Sequence, residues 1–175
     1  RVNELLWDDE TRFYYDLDEA GEFVRIKTVA GFMPLLGQIP DRDRAEALRM
    51  HLMNPNEFWL PFPAPTVARD EATFSPDLWR GATWLNTNTL IYYGLMAYGF
   101  FQEARRLARA SIQEVARNYM LYGCFYECYD ASGAMPPSEM SRKGAPGEKG
   151  GVGFGVVEDF HWTAACYVHL AHELG

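Results

Sequence analysis

The sequence predicts an all-α fold built from two layers of helices, and three observations predict it. Residues 87–98 read as an almost wholly apolar helix, and a helix apolar on all sides is usually buried. Gly99 then ends it in a tight turn. Residues 102–122 follow at once as an amphipathic helix, with Ala104, Leu107, Ala108, Ser111, Ile112, Val115, Ala116 and Tyr119 at helical spacing. Glu103, Arg106, Arg109, Gln113, Glu114 and Arg117 fill the opposite face, and Gly123 closes the helix. Two concentric layers of antiparallel helices produce this alternation of inner helix, turn and outer helix.

The remaining elements follow in chain order. Val2 to Trp7 reads as the end of a helix, and the opening RVNELLWDDE does not resemble a natural N-terminus. Thr11 to Asp18 and Phe23 to Val29 predict a short β-hairpin, with Glu19 to Glu22 as its turn and Gly21 free to take positive φ. Gly31 to Leu36 is a short apolar turn or helix. Asp41 is placed to cap a helix over Arg42 to Met53, with Ala45, Leu48 and Leu52 on one stripe. Asn54 to Pro76 carries five prolines, which forbid a continuous helix, and so long an irregular stretch suggests a functional role. Met135 to Val156 is a glycine-rich, charged loop, read as a flexible rim or lid. It lacks the preceding strand and following helix of a dinucleotide fingerprint. Phe160 to Leu174 predicts a final helix.

Composition narrows the function classes. A hydrophobic content of 48% over 175 residues suits one folded domain, not a disordered chain. Net charge is −8, which disfavours nucleic acid or an anionic membrane as partner. Arg105, Arg106 and Arg109 read as a solvated helix face. No stretch reads as a transmembrane helix. No signal peptide is visible, so a cytoplasmic location is expected. Cys124, Cys128 and Cys166 lack a second ligand pair, and buried free thiols in a reducing compartment explain them better than zinc. No metal or cofactor is called for.

The run WRGATWLNTNTLIYYGLMAYG, Trp79 to Gly99, carries the main chemical signal. It sets two tryptophans, an arginine and a glycine ahead of an inner helix that holds Asn86 and Asn88. Aromatic faces stack on the C–H surfaces of sugars while amides and guanidinium groups bond the hydroxyls. A core helix behind a Trp-rich turn is the plainer alternative. In FYECYDASG, Glu127 sits among aromatics beyond a helix end, where a carboxylate can hold and deprotonate a water. The alternative is a glutamate paired with an arginine near the pocket wall. Trp162 can floor a sugar subsite, with His161 as a hydrogen-bonding neighbour rather than a base. Arg80 serves a sugar hydroxyl, a substrate carboxylate or an ion pair. Asp16, Asp18 and Asp70 are lesser acidic candidates, and Asp18 can simply close the hairpin.

Taken together, LLWDDETRFYYDLD, AGFMPLLG, FPAPTVARDEATF, WRGATWLNTNTLIYYGLMAYG, FYECYDASG and FHWTAA resemble the six-hairpin glycosidases. The similarity is to the clan of trehalases, processing α-glucosidases and mannosylglycerate or glucosylglycerate hydrolases. The segments occur in the family's order and span nearly the whole chain. The resemblance implies an (α/α)6 toroid, here only its C-terminal part over 1–175, with a short β-hairpin near the N-terminus. It implies inverting hydrolysis of a small α-glucoside or α-mannoside, with one acid protonating the leaving oxygen and a second carboxylate activating water. Glu127 matches the family's late glutamate and is assigned as general base. Trp79, Arg80, Gly81, Trp84, Asn88, Tyr92, His161 and Trp162 are assigned to substrate binding. The family's general acid is an aspartate from the earlier half of the barrel, and this chain starts after it. The expected partners are a small carbohydrate and that missing N-terminal half. His161 stands where the family commonly has glycine, and the Ser138 to Val156 insertion is longer than expected. A non-catalytic carbohydrate-binding or structural half-barrel, lacking the general acid, is the runner-up. A sugar epimerase would need paired pocket histidines that the sequence lacks, and a helical interaction repeat fits the tryptophans poorly.

Overall fold

A computed structural model describes residues 1–142 and 155–175. The chain is mostly helical, with α1 (Val2–Leu5), α2 (Met33–Leu36), α3 (Arg42–Leu52), α4 (Leu85–Ala97), α5 (Phe101–Tyr122) and α6 (His161–Leu174). Four short strands precede α2: β1 (Trp7–Asp8), β2 (Phe13–Tyr14), β3 (Asp16–Leu17) and β4 (Phe23–Val24). This arrangement is that of a partial (α/α)6 toroid.

Helix α4 is the hub, packing on α2, α5 and α6. Its Leu85, Ile91 and Leu95 are fully buried, as an apolar helix requires. Gly94 sets the spacing to α2: a Cβ there would stand 2.7 Å from the Leu35 Cβ, so only glycine lets the two backbones approach this closely. Helix α5 lies outside it, burying Ala104, Leu107, Ala108, Ser111 and Val115 and turning its charged residues outward. Gly123 ends it at φ +81°. Asp41 caps α3 as its sequence predicts, its Oδ1 accepting from the Arg44 amide at 2.9 Å.

The N-terminal strands differ from the single predicted hairpin. There are two small antiparallel ladders, β1 with β2 (Trp7 opposite Tyr14) and β3 with β4 (Leu17 opposite Phe23). The chain changes partner at Tyr15, whose amide is taken by the Leu6 carbonyl at 2.9 Å. Trp7 therefore belongs to a strand and not to a helix end. Asp18 closes the second ladder by accepting from the amides of Ala20 and Glu22.

The proline-rich stretch is irregular but is not a surface loop. Phe58 and Phe62 are fully buried, and the backbone finds partners along its length: Phe62 N–H to the Ala131 carbonyl, Thr66 N–H to Ala82 and Ala68 N–H to Lys27. Buried backbone must be paired, and here neighbouring segments pair it in place of a regular element. Of the glycine-rich loop, Gly144, Gly147, Gly150, Gly151 and Gly153 lie outside the described residues.

Candidate functional site

Three segments are laced together by backbone hydrogen bonds at the N-terminal ends of α4 and α6. Residues 81–84 lead into α4. Thr83 exchanges both bonds with Tyr129, at 2.8 and 3.0 Å, which fixes 125–129 alongside. On the other edge of 125–129, the Glu127 amide donates to Val157, the Phe160 amide to Phe125, and the Thr163 hydroxyl to Tyr126. Glu127 therefore sits between the entry of α4 and the entry of α6, and Phe160 packs edge-on against Trp84.

Trp79 lies on a helical turn, Leu78–Arg80, and stacks flat on Trp84 with centroids 4.3 Å apart. The outer ring is half exposed, whereas Trp84 is buried and its Nε1 finds no partner among the described residues. Gly81 makes the turn possible. A Cβ there would stand 2.5 Å from the Ser75 carbonyl oxygen and 2.7 Å from the Phe74 ring. Its amide donates to the Thr66 hydroxyl at 2.9 Å. Gly81 thus shapes the wall through its backbone. Arg80 is exposed with no ion-pair partner among the described residues, and His161 and Trp162 are exposed at the start of α6.

The Glu127 carboxylate is almost fully buried. Its Oε2 lies 3.2 Å from the Arg142 Nε, and the Val157 amide donates to the same oxygen at 3.5 Å. Burial first, and then the neighbouring Glu127 charge, push the Cys128 thiol up to about 12, so it stays protonated. Next along, Asp130 organises the turn, accepting from the amides of Ser132, Ala134 and Met135. Burial opposes its ionisation, but these bonds and that of the Ser132 hydroxyl outweigh it and hold the carboxyl below its usual range. A cleft of about 370 Å³ opens beside this turn, lined by residues that include Phe74, Pro76, Asp130, Met135 and Glu139.

Two of the predicted binding residues are not brought here. Asn88 is fully buried, its Nδ2 donating to the Pro63 carbonyl and the Ser111 hydroxyl, both at 2.9 Å. It ties α4 to α5 and to the proline-rich segment. Tyr92 is also buried, its hydroxyl directed 3.4 Å from the Glu173 carboxylate on α6. Among the lesser acids, Asp16 lies exposed on β3, and Asp70 binds Lys27.

Arg142 is a site residue that sequence reasoning missed, and no spacing or motif links it to Glu127. A second missed cluster lies away from this wall. Lys27 Nζ stands 3.0 Å from Glu57 Oε1, and His51 Nδ1 stands 2.6 Å from Glu57 Oε2. Among the described residues, no group of His, Cys, Asp and Glu could hold a metal ion, and no helix is long and apolar enough to cross a membrane.

Residues 1–163 match the mannosylglycerate hydrolase MGH1-like glycoside hydrolase domain. The chain belongs to this family. Its match takes in the tryptophan turn, Glu127 and the first residues of α6. The mannosylglycerate hydrolase of Rubrobacter radiotolerans is 33% identical over 98% of this chain and 35% of that protein. The chain also resembles the crystal structure of the GH63 mannosylglycerate hydrolase from Thermus thermophilus in complex with Tris and D-glycerate. That TM-score is 0.72 at 30% identity, over 97% of this chain and 35% of the other. Neutral trehalase Nth1 from Saccharomyces cerevisiae shares the fold, with a TM-score of 0.74 at 17% identity over 99% of this chain and 28% of the other. The chain spans about a third of the length of the curated relatives it matches.

Proposed function

We propose that this chain is the base-bearing part of an inverting α-glycoside hydrolase. Its substrate is a small α-glucoside or α-mannoside of the glucosylglycerate, mannosylglycerate or disaccharide type. The observation that carries the reading is the buried Glu127 carboxylate, pinned between the two helix entries that carry Trp84 and Trp162. In this reading Glu127 takes a proton from water as the water oxygen attacks the anomeric carbon. The glycosidic C–O bond breaks on the opposite face, and an aspartic acid there protonates the departing oxygen. That acid comes from the preceding part of the barrel, which agrees with the chain's coverage of only about a third of its relatives. The chain on its own is then inactive. Trp79 and Trp162 offer open aromatic faces, Arg80 an exposed guanidinium, and His161 a polar rim. Trp84 backs Trp79, and Gly81 allows their stacking. Asn88 and Tyr92 take no direct part.

The Arg142 contact favours a second reading, in which Glu127 is a paired structural residue in a non-catalytic sugar-binding wall. The two separate by assay of the complete barrel polypeptide on an α-glycoside panel, with the released anomer followed by NMR. Wild type should release the β-anomer, and a folded Glu127→Gln variant should lose roughly 10²–10⁴-fold in turnover. A folded wild type that binds sugars and hydrolyses none of the panel would leave the binding-wall reading standing.

A further inference from the structure

The two oxygens of Glu127 are held differently. Oε2 is ion-paired with Arg142, whose Nε stands 3.2 Å away, and accepts from the Val157 amide at 3.5 Å. Oε1 takes no hydrogen bond from any described residue. Both partners come from chain segments that are themselves pinned. Ser141, next to Arg142, pairs with Gly155 in an antiparallel bridge, and the Val157 carbonyl accepts from the Glu127 amide at 2.9 Å. The carboxylate and its partners thus form one frame.

A carboxylate that must deprotonate a water needs one oxygen aimed at that water and little freedom to rotate. A guanidinium suits the task because its N–H directions are fixed in a plane, whereas an ammonium is a rotating point charge. Arg142 is ion-paired with Glu127 through Nε, and its side chain is 45% exposed, so the charge is supplied from the open edge of the wall. A buried carboxylate without such a partner is costly, and that cost favours turning the group away or protonating it.

We propose that Arg142 is a positioning residue for the reaction. It locks Oε2 so that Oε1 is the oxygen presented to the attacking water. The proposal rests on the assignment of Glu127 as base. It predicts an effect on the chemical step, not on substrate affinity, because Arg142 acts through Glu127.

The test uses the complete barrel polypeptide, with Arg142→Ala, Arg142→Lys and Glu127→Gln measured beside wild type on the α-glycoside that wild type turns over best. For Arg142→Ala, kcat should fall about tenfold or more with KM within about twofold. Its thermal midpoint should stay near that of wild type, and millimolar guanidinium chloride should restore part of the lost rate. Arg142→Lys should retain more activity than Arg142→Ala. An unchanged kcat in Arg142→Ala, beside an inactive Glu127→Gln, overturns the positioning role and leaves the base assignment intact. A raised KM with unchanged kcat also overturns it, since Arg142 would then contact substrate. So does a lowered midpoint with no rescue, which marks a purely structural ion pair. Wild-type turnover in Glu127→Gln overturns both the base assignment and the positioning role.

Discussion

Trp79 and Trp84 show how one residue type serves two ends. Their rings are parallel at 4.3 Å, but only the outer ring is open to a ligand. Trp84 fills the core against Phe160 and gives Trp79 a fixed backing. An open aromatic ring gives a large, rigid apolar face for the C–H surface of a sugar. Trp79→Ala in the complete polypeptide should therefore raise KM several-fold and leave the fold intact, as steady-state kinetics and circular dichroism would show. The ring cluster at Trp79 and Trp84 and the acid among aromatics at Glu127 were legible in the sequence as unusual local compositions. The contrast between the two tryptophans was not, since it depends on Gly81 letting the turn fold tightly against Ser75 and Phe74. Nor was Arg142, which lies fifteen positions along from Glu127 with no periodic element between them to fix their relation.

At the scale of elements, periodicity located α3, α4, α5 and α6 to within a few residues, because each buries one face. It did not say which polar residue of α4 faces inward to a neighbour and which to a ligand. Asn88 turns to Ser111 and Pro63, so it is an interhelical tie. The strands were harder still, since each is two residues long, too short for alternation to mark, and the chain changes partner at Tyr15. The network of Lys27, His51 and Glu57 joins the segment after β4 to α3 and the proline-rich stretch. Burial opposes the ionisation of Glu57, but bonds from His51 and Lys27 outweigh it and hold the carboxyl below its ordinary value. On acidification the unfolded chain is therefore protonated at this position before the folded one. The stabilisation is present above the ordinary carboxylate value of about 4.3 and is lost as pH falls through the lower folded value. Urea midpoints measured from pH 6 to pH 3 should fall steeply in wild type and less steeply in Glu57→Gln.

At the scale of the whole molecule, apolar side chains stand open on both α4 and α6. Leu90 and Tyr93 on α4 and Val168 on α6 are exposed, although α4 buries most of its other residues. Tyr93 stacks on His169 and hydrogen-bonds it at this open face. In the proposed toroid, the preceding helices cover these residues. The isolated chain should bind a hydrophobic dye and self-associate, as sedimentation would reveal, and co-expression with the preceding part of the barrel should suppress both. The toroid itself was legible from the alternation of inner and outer helices and from the resemblance, because both are properties of extended sequence.

The most direct measurement is a crystal structure of the complete polypeptide with an unreactive α-glycoside bound. The sugar should lie on Trp79 and Trp162, with Glu127 Oε1 facing the anomeric carbon through one water. An aspartate should lie across the sugar at roughly 6.5–9.5 Å from Glu127. A sugar bound elsewhere, or a Glu127 carboxylate with no acid opposite and no water between it and the anomeric carbon, would contradict it.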